Sequence, residues 1–332
     1  MQLAFTICSN NYLAHAKTLG DSFLEFHPNV RFIIGLVDKY DLEFDYSFFS
    51  AFEIILVEEI AVPNFEELNE KYNITELNTA VKPSYLHHIF KKYNAKKILY
   101  IDPDILVTSS FDEVFDALDS KNIVITPHMC SPVDDEFGPN DYDVLGGGVY
   151  NLGFIGLSDY DQVKGFIDWW HNRVVKYGYG NQRKGMFFDQ LWIQYVPCFF
   201  DNYYILKHLG YNMANWNLHE REISAQDNVN FIINDDYTLR FFHFSSYKFE
   251  KPDTICRYQT RYDFNSRPDL VPLFNKYATK LKENKVDQIS KLNVFYYPNL
   301  HQLRAVEKKK TTTLEIIYRM KKAIKILIKG RI

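Results

Sequence analysis

Two carboxylates, Asp102 and Asp104, follow directly on the apolar run KILYI (97–101), and a second apolar run, ILV (105–107), follows them. The pairs Asp141/Asp143 and Asp159/Asp161 have the same spacing but no such flanks. In open α/β sheets ligands bind just beyond the carboxyl ends of strands. Carboxylates placed there offer hard oxygen ligands to Mg2+ or Mn2+, ions that offset the charge of phosphoryl groups. The spacing alone fits equally well a pair of loop aspartates capping the next segment. His243, at the end of TLRFFHF (238–244), adds an imidazole that suits Mn2+, and Lys248 and Lys251 follow it. Asp189 and Gln190 open an apolar stretch after a basic loop. They pair a carboxylate with an amide, suited either to orienting a hydroxyl or to capping a helix. Asn215-Trp216-Asn217 sets two amides around an indole. That grouping suits a sugar, and suits equally an aromatic anchor in a turn.

These residues need elements to hold them. QLAFTIC (2–8), RFIIGLVD (31–38), FEIILV (52–57), KILYID (97–102) and IVIT (123–126) read as strands, and LGGGVYNLGFIGL (145–157) leads into another. Leu13, Ala16, Leu19 and Phe23 have helical spacing. The segment 74–93 reads as a helix interrupted or restarted at Pro83. Further helices are expected over 161–177, over 187–199 until Pro197, and over 268–283, and 238–244 is expected to be one late strand. Strands alternating with helices predict a mostly parallel sheet flanked by helices.

Composition bounds the class. Of 332 residues, 46% are apolar and 24% charged, which excludes disordered, collagen-like and disulfide-scaffold chains. Aromatic residues reach 17% and glycine only 14 residues, so core material is ample. The four cysteines have no C-x-x-C spacing and read as reduced thiols. No segment reads as a signal peptide or a transmembrane span, so a cytoplasmic location is expected. The net charge of −4 argues against a nucleic-acid partner. It is unevenly spread. Residues 308–331 hold nine Lys and Arg against Glu315, a net +8, leaving −12 on the remainder. Leu314, Ile317, Met320, Ile324, Leu327 and Ile328 recur there at helical spacing. A basic amphipathic helix over 308–332 suits an anionic membrane surface, such as the inner face of the cell membrane.

The order of the motifs carries a resemblance. TICSNNYLAHAKTLGDSF, ELNTAVKPSYL (76–86), YIDPDILV (100–107), VYNLGFIGL (149–157), FDQLWI (188–193), NWNLHER (215–221) and FHFSSYKFEKP (242–252) run along one chain. In that order the sequence resembles nucleotide-sugar-dependent glycosyltransferases of the type A fold, most closely the retaining family 8 enzymes, over about residues 1–255.

The chain is expected to form a single Rossmann-like catalytic domain over 1–260, a helical extension over 261–307 and the basic tail helix over 308–332. The resemblance implies that Asp102, Asp104 and His243 hold Mn2+ or Mg2+, and that Thr6, Cys8 and Asn11 line the nucleotide. Lys82 would face the donor, and Asn151 would contact the donor sugar or acceptor. Asp189 would hold a sugar hydroxyl and Gln190 would lie beneath the anomeric carbon. Lys248 or Lys251 would meet the diphosphate, and Asn215, Trp216 and Asn217 the acceptor or sugar. The implied donor is a nucleotide-diphosphate-sugar, UDP-sugar favoured, and the acceptor a glycan or lipid-linked glycan of bacterial surface-polysaccharide synthesis. Two departures stand out. Ser246 occupies the place of a glycine in the family's late motif, and the lysines at 248 and 251 flank the position its lysine takes. Two alternatives stay open: an inverting enzyme with a carboxylate base from loop 134–143, and a non-catalytic nucleotide-sugar-binding protein.

Overall fold

The computed structural model describes residues 1–226 and 230–296, and in the C-terminal segment only Ile317 and Met320. The tail helix expected over 308–332 lies otherwise outside the described residues.

The strands are β1 (Gln2–Cys8), β2 (Arg31–Leu36), β3 (Glu53–Leu56), β4 (Lys97–Ile101), β5 (Ile105–Val107), β6 (Ile123–Pro127) and β7 (Tyr150–Ser158). The helices among them are α1 (Leu13–Phe26), α2 (Phe65–Lys71), α3 (Ile74–Ala80), α4 (Lys82–Tyr93), α5 (Asp112–Ala117), α6 (Asp141–Gly147) and α7 (Tyr160–Tyr177). Seven strands form the main sheet, in the order Tyr203–Ile205, β6, β7, β4, β1, β2, β3. Only β7 runs against its neighbours; the other pairs in that sheet are parallel. The expected α/β class with a mostly parallel sheet is therefore what the chain adopts.

Period-two alternation explains how the sheet is covered. Leu3, Phe5 and Ile7 of β1 join the apolar layer that includes Leu86 and Ile89 of α4 and Phe166 and Trp170 of α7. Ala4 and Cys8 face the opposite layer, with Leu19 and Phe23 of α1. That second layer also holds Phe274 and Tyr277 of the helix Val271–Glu283, and Tyr277 stacks on Phe244 at 3.8 Å.

Local sequence sets the breaks. Asn73 and Glu76 form a reciprocal cap that starts α3. Pro83 lies in the first turn of α4, where its missing N–H is not needed, so 74–93 is two helices and Lys82 opens the second. Two expectations are corrected. The stretch 187–199 is a 3-10 helix at Gln190–Tyr195 followed by a short α-helix at Val196–Phe199. Pro197 opens that last turn instead of ending one. The expected strand 238–244 is two strands, Tyr237–Thr238 and Phe241–His243, because the chain leaves one small sheet for another at Leu239 and Arg240.

Candidate active site

β4 is buried along its whole length, and its ladder with β7 continues one residue past its end, where the Asp102 N–H donates to Gly153 O at 2.7 Å. The chain then turns over Pro103 and enters β5. The strand Phe241–His243 pairs antiparallel with β5, setting His243 opposite Ile105, and Phe244 N–H donates to Asp104 O. The turn between β4 and β5 and a strand more than 130 residues later thus bring Asp102, Asp104 and His243 together, with one ligand atom of each within 4.8 Å of the others. His243 Nε2 lies 3.1 Å from Asp104 Oδ1 and 3.8 Å from Asp102 Oδ2. Gly153 permits this approach, since a Cβ there would sit 2.4 Å from His243 Cε1.

Electrostatics within the cluster are divided. Burial pushes the Asp102 carboxyl up, and the opposing pull of Lys82 and His243 does not cancel it. Burial also acts on Asp104, but the adjacent His243 overrides it and holds that carboxyl down. Burial opposes the charged form of His243, yet the carboxylate of Asp104 raises it above the ordinary imidazole value. Two carboxylates in the β4–β5 turn and an imidazole at a strand end form a hard oxygen and nitrogen donor set, which fits a divalent cation such as Mn2+ or Mg2+.

Beside the cluster lies a buried ion pair. Lys82 Nζ is 2.7 Å from Asp189 Oδ2, and both side chains are within a few per cent of complete burial. Lys82 also sits 3.9 Å from the centre of the Tyr100 ring, whose hydroxyl donates to Asp102 Oδ1 at 2.5 Å. Burial pushes the Asp189 carboxyl up despite the lysine. Gln190 is held beside it by three hydrogen bonds of its side-chain amide. Its Oε1 accepts from Leu152 N–H (2.9 Å) and Asn151 Nδ2 (3.1 Å), and its Nε2 donates to Gly147 O (2.7 Å). Asn151 is likewise committed, to His243 Nδ1 (3.2 Å) and His128 Nε2 (3.2 Å). The residue before this motif, Phe188, has φ +51, a left-handed conformation costly for a bulky side chain.

Other expected residues are placed differently. Thr6 is mid-strand and fully buried, with its hydroxyl unpartnered, so it is core rather than rim. Cys8 ends β1 and is buried, and desolvation drives its thiol well above the usual range. Asn11 follows, half-buried, in the turn before α1. Lys248 and Lys251 are exposed, and among the described residues neither contacts the carboxylate cluster. Lys248 lies close enough to His15 to lower that imidazole.

The Asn-Trp-Asn triplet needs correction as a sugar-contacting set. Asn217 is fully buried; its Oδ1 accepts from Ala214 N–H and its Nδ2 donates to His128 O and Asn212 O. Asn215 donates to Ser245 O. These amides brace the loop. Trp216 makes T-shaped contacts with His128 (4.9 Å) and His243 (5.2 Å) and is buried beside the cluster.

Three further residues stand at the site: Tyr12 and His15, within the first quoted motif, and His128. Tyr12 and His15 stack at 3.8 Å, and the charge of Asp104 acts on both. Burial dominates each of them, pushing the Tyr12 phenol well above its usual value and His15 down to about 4. His128 follows β6 and is held neutral, pushed down to about 3 by burial and by His243. The spacing of Tyr12 and His15 at the start of α1 was available as a signal; that of His128 was not.

No family model matches the chain. Two uncharacterised proteins of Bacillus subtilis (strain 168) are similar to it. YfnD is 25% identical over 225 residues, spanning 65% of this chain and 68% of YfnD. YfnF is 24% identical over 185 residues, 55% of this chain and 60% of YfnF. Among solved structures, the galactosyltransferase LgtC, in complex with donor and acceptor sugar analogues, aligns over 84% of this chain and 95% of its own at 16% identity, with a TM-score of 0.47. The glycosyltransferase GlyE of Streptococcus pneumoniae aligns over 88% and 66% at 14% identity, TM-score 0.47. Mouse xyloside xylosyltransferase 1 aligns over 74% and 98% at 11% identity, TM-score 0.45.

Proposed function

We propose that this chain is a glycosyltransferase of the type A fold that transfers a sugar from a nucleotide-diphosphate-sugar, with Asp102, Asp104 and His243 holding Mn2+ or Mg2+. The convergence of those three side chains at the carboxyl end of a central strand, next to a buried Lys82–Asp189 pair, carries the reading. When bound, a divalent ion neutralises charge developing on a diphosphate leaving group. The protein supplies the rest. Asp189, pinned by Lys82, presents a fixed acceptor edge to a sugar hydroxyl. Gln190 is an amide whose oxygen is turned onto Leu152 and Asn151, so it positions rather than attacks.

An amide is a poor nucleophile, so in a retaining enzyme Gln190 favours same-face attack over a covalent intermediate, with the leaving phosphate taking the acceptor proton. We propose a UDP-sugar donor and a glycan or lipid-linked acceptor of surface-polysaccharide synthesis, with residues 308–332 holding the enzyme at an anionic membrane face. A thermal-shift screen of nucleotide-sugars, run with and without Mn2+, tests the reading. Stabilisation by one donor that requires the metal, and that Asp104→Ala abolishes, is expected. Stabilisation that survives this substitution refutes the metal assignment.

A further inference from the structure

Backbone donors fix the orientation of two neighbouring amides, and through them the state of a metal-facing imidazole. Leu152 N–H reaches Gln190 Oε1 and Gln190 Nε2 reaches Gly147 O, so Gln190 has one orientation only. Its Oε1 accepts, so the Asn151 atom 3.1 Å away must be the donor, Nδ2. The other Asn151 atom is then Oδ1, which accepts from Gly153 N–H at 3.3 Å and lies 3.2 Å from His243 Nδ1. A flipped amide would set oxygen against oxygen and N–H against N–H. His243 Nδ1 therefore carries a proton, and Nε2 is the nitrogen turned toward Asp102 and Asp104. The second hydrogen of Nδ2 reaches His128 Nε2, which leaves Asn151 no free donor for a sugar.

We infer that Asn151 is a positioning residue, which sets the tautomer of His243 for metal binding and links that imidazole to Gln190. This departs from the sugar contact that the resemblance implies for Asn151. It rests on the metal-centre reading proposed above. Metal-ligating imidazoles almost always give their other N–H to a fixed acceptor, and losing that acceptor typically weakens metal affinity by about 10–100-fold.

The test is Mn2+ affinity of the full chain, measured by calorimetry without any sugar. Asn151→Leu removes both roles and should bind Mn2+ at least about tenfold more weakly. Asn151→Asp keeps an acceptor for His243 but loses the donors to Gln190 and His128. It should hold Mn2+ within a few-fold of wild type while turnover of donor falls. Asn151→Leu binding Mn2+ as tightly as wild type overturns the inference and leaves the metal centre standing. A wild-type chain that binds no Mn2+ overturns both. Should Asn151→Leu fail to fold, nitrogen NMR of the wild-type imidazole at alkaline pH decides: a ring proton on Nδ1 is expected, and one on Nε2 refutes the inference.

Discussion

At the scale of residues, the site is built from charges and rings removed from water in pairs. Lys82 and Asp189 are tolerable only together, since breaking a buried pair typically costs about 3–5 kcal/mol. His128 and His15 are both kept neutral by burial, and this has a sign. An imidazole whose folded value is pushed below its unfolded value contributes full stability above about pH 6.5. That contribution is lost as pH falls toward the folded value. His128, at about 3, therefore favours the native state by on the order of 2 kcal/mol more at pH 7 than at pH 5. Denaturant titrations of wild type and His128→Gln should show their stability difference shrinking by about that amount between these pH values. A difference that grows on acidification would contradict the burial of a neutral ring. The charged residues Asp102, Asp104, Asp189 and His243 were legible because each sits at a recognisable break between an apolar run and a turn. His128 was not, because a single histidine after a strand has no period or partner in sequence; only folding sets it against Asn151 and Trp216.

At the scale of elements, the site depends on how strands end. β4 and β7 were readable as apolar runs, and the start of α4 at Lys82 followed from Pro83. The pairing of Phe241–His243 with β5 was not readable, because it joins segments more than 130 residues apart and each is only three residues long. The role of Asn217 was hidden too: its type suggests a ligand contact, but its partners are backbone groups of its own loop and of His128, 89 residues away. The turn after His243 carries a local cost. Ser246 has φ +63, a conformation that glycine adopts freely and that costs other residues roughly 1–2 kcal/mol. The glycine usual at this place in the resembled family is thus replaced without a change to ordinary backbone geometry. Ser246→Gly should raise stability by about 0.5–1 kcal/mol, read as a higher melting temperature with Mn2+ affinity unchanged. A drop in melting temperature would mean that the hydroxyl makes a compensating contact.

At the scale of the molecule, charge and chain path set the arrangement. Residues 293–295 run back to the carboxyl ends of β1 and β2. Asn293 N–H and Nδ2 both reach Asp41 Oδ2, Asn293 O accepts from Asn10 Nδ2, and Phe295 N–H reaches Asp38 Oδ1. Burial pushes the Asp38 carboxyl up to about 6 against these backbone donors. This segment is therefore fastened to the end of β2 and, through Asn10, to the end of β1, which the resemblance assigns to the nucleotide. No helix among the described residues is long and apolar enough to cross a membrane. The proposed attachment through 308–332 predicts that a chain lacking those residues no longer sediments with anionic liposomes while still hydrolysing donor. Equal sedimentation of the truncated and full chains would remove the membrane role from that segment.

The central claim is that Asp102, Asp104 and His243 hold a divalent ion that makes a nucleotide-diphosphate-sugar reactive. The most direct measurement is release of nucleoside diphosphate from a panel of nucleotide-sugars by the full chain, in Mn2+ and in EDTA, beside Asp104→Ala. Release from at least one donor is expected in Mn2+, with loss of at least about a hundredfold in EDTA and in the variant. Release at the same rate in EDTA, or undiminished in Asp104→Ala, would contradict the claim.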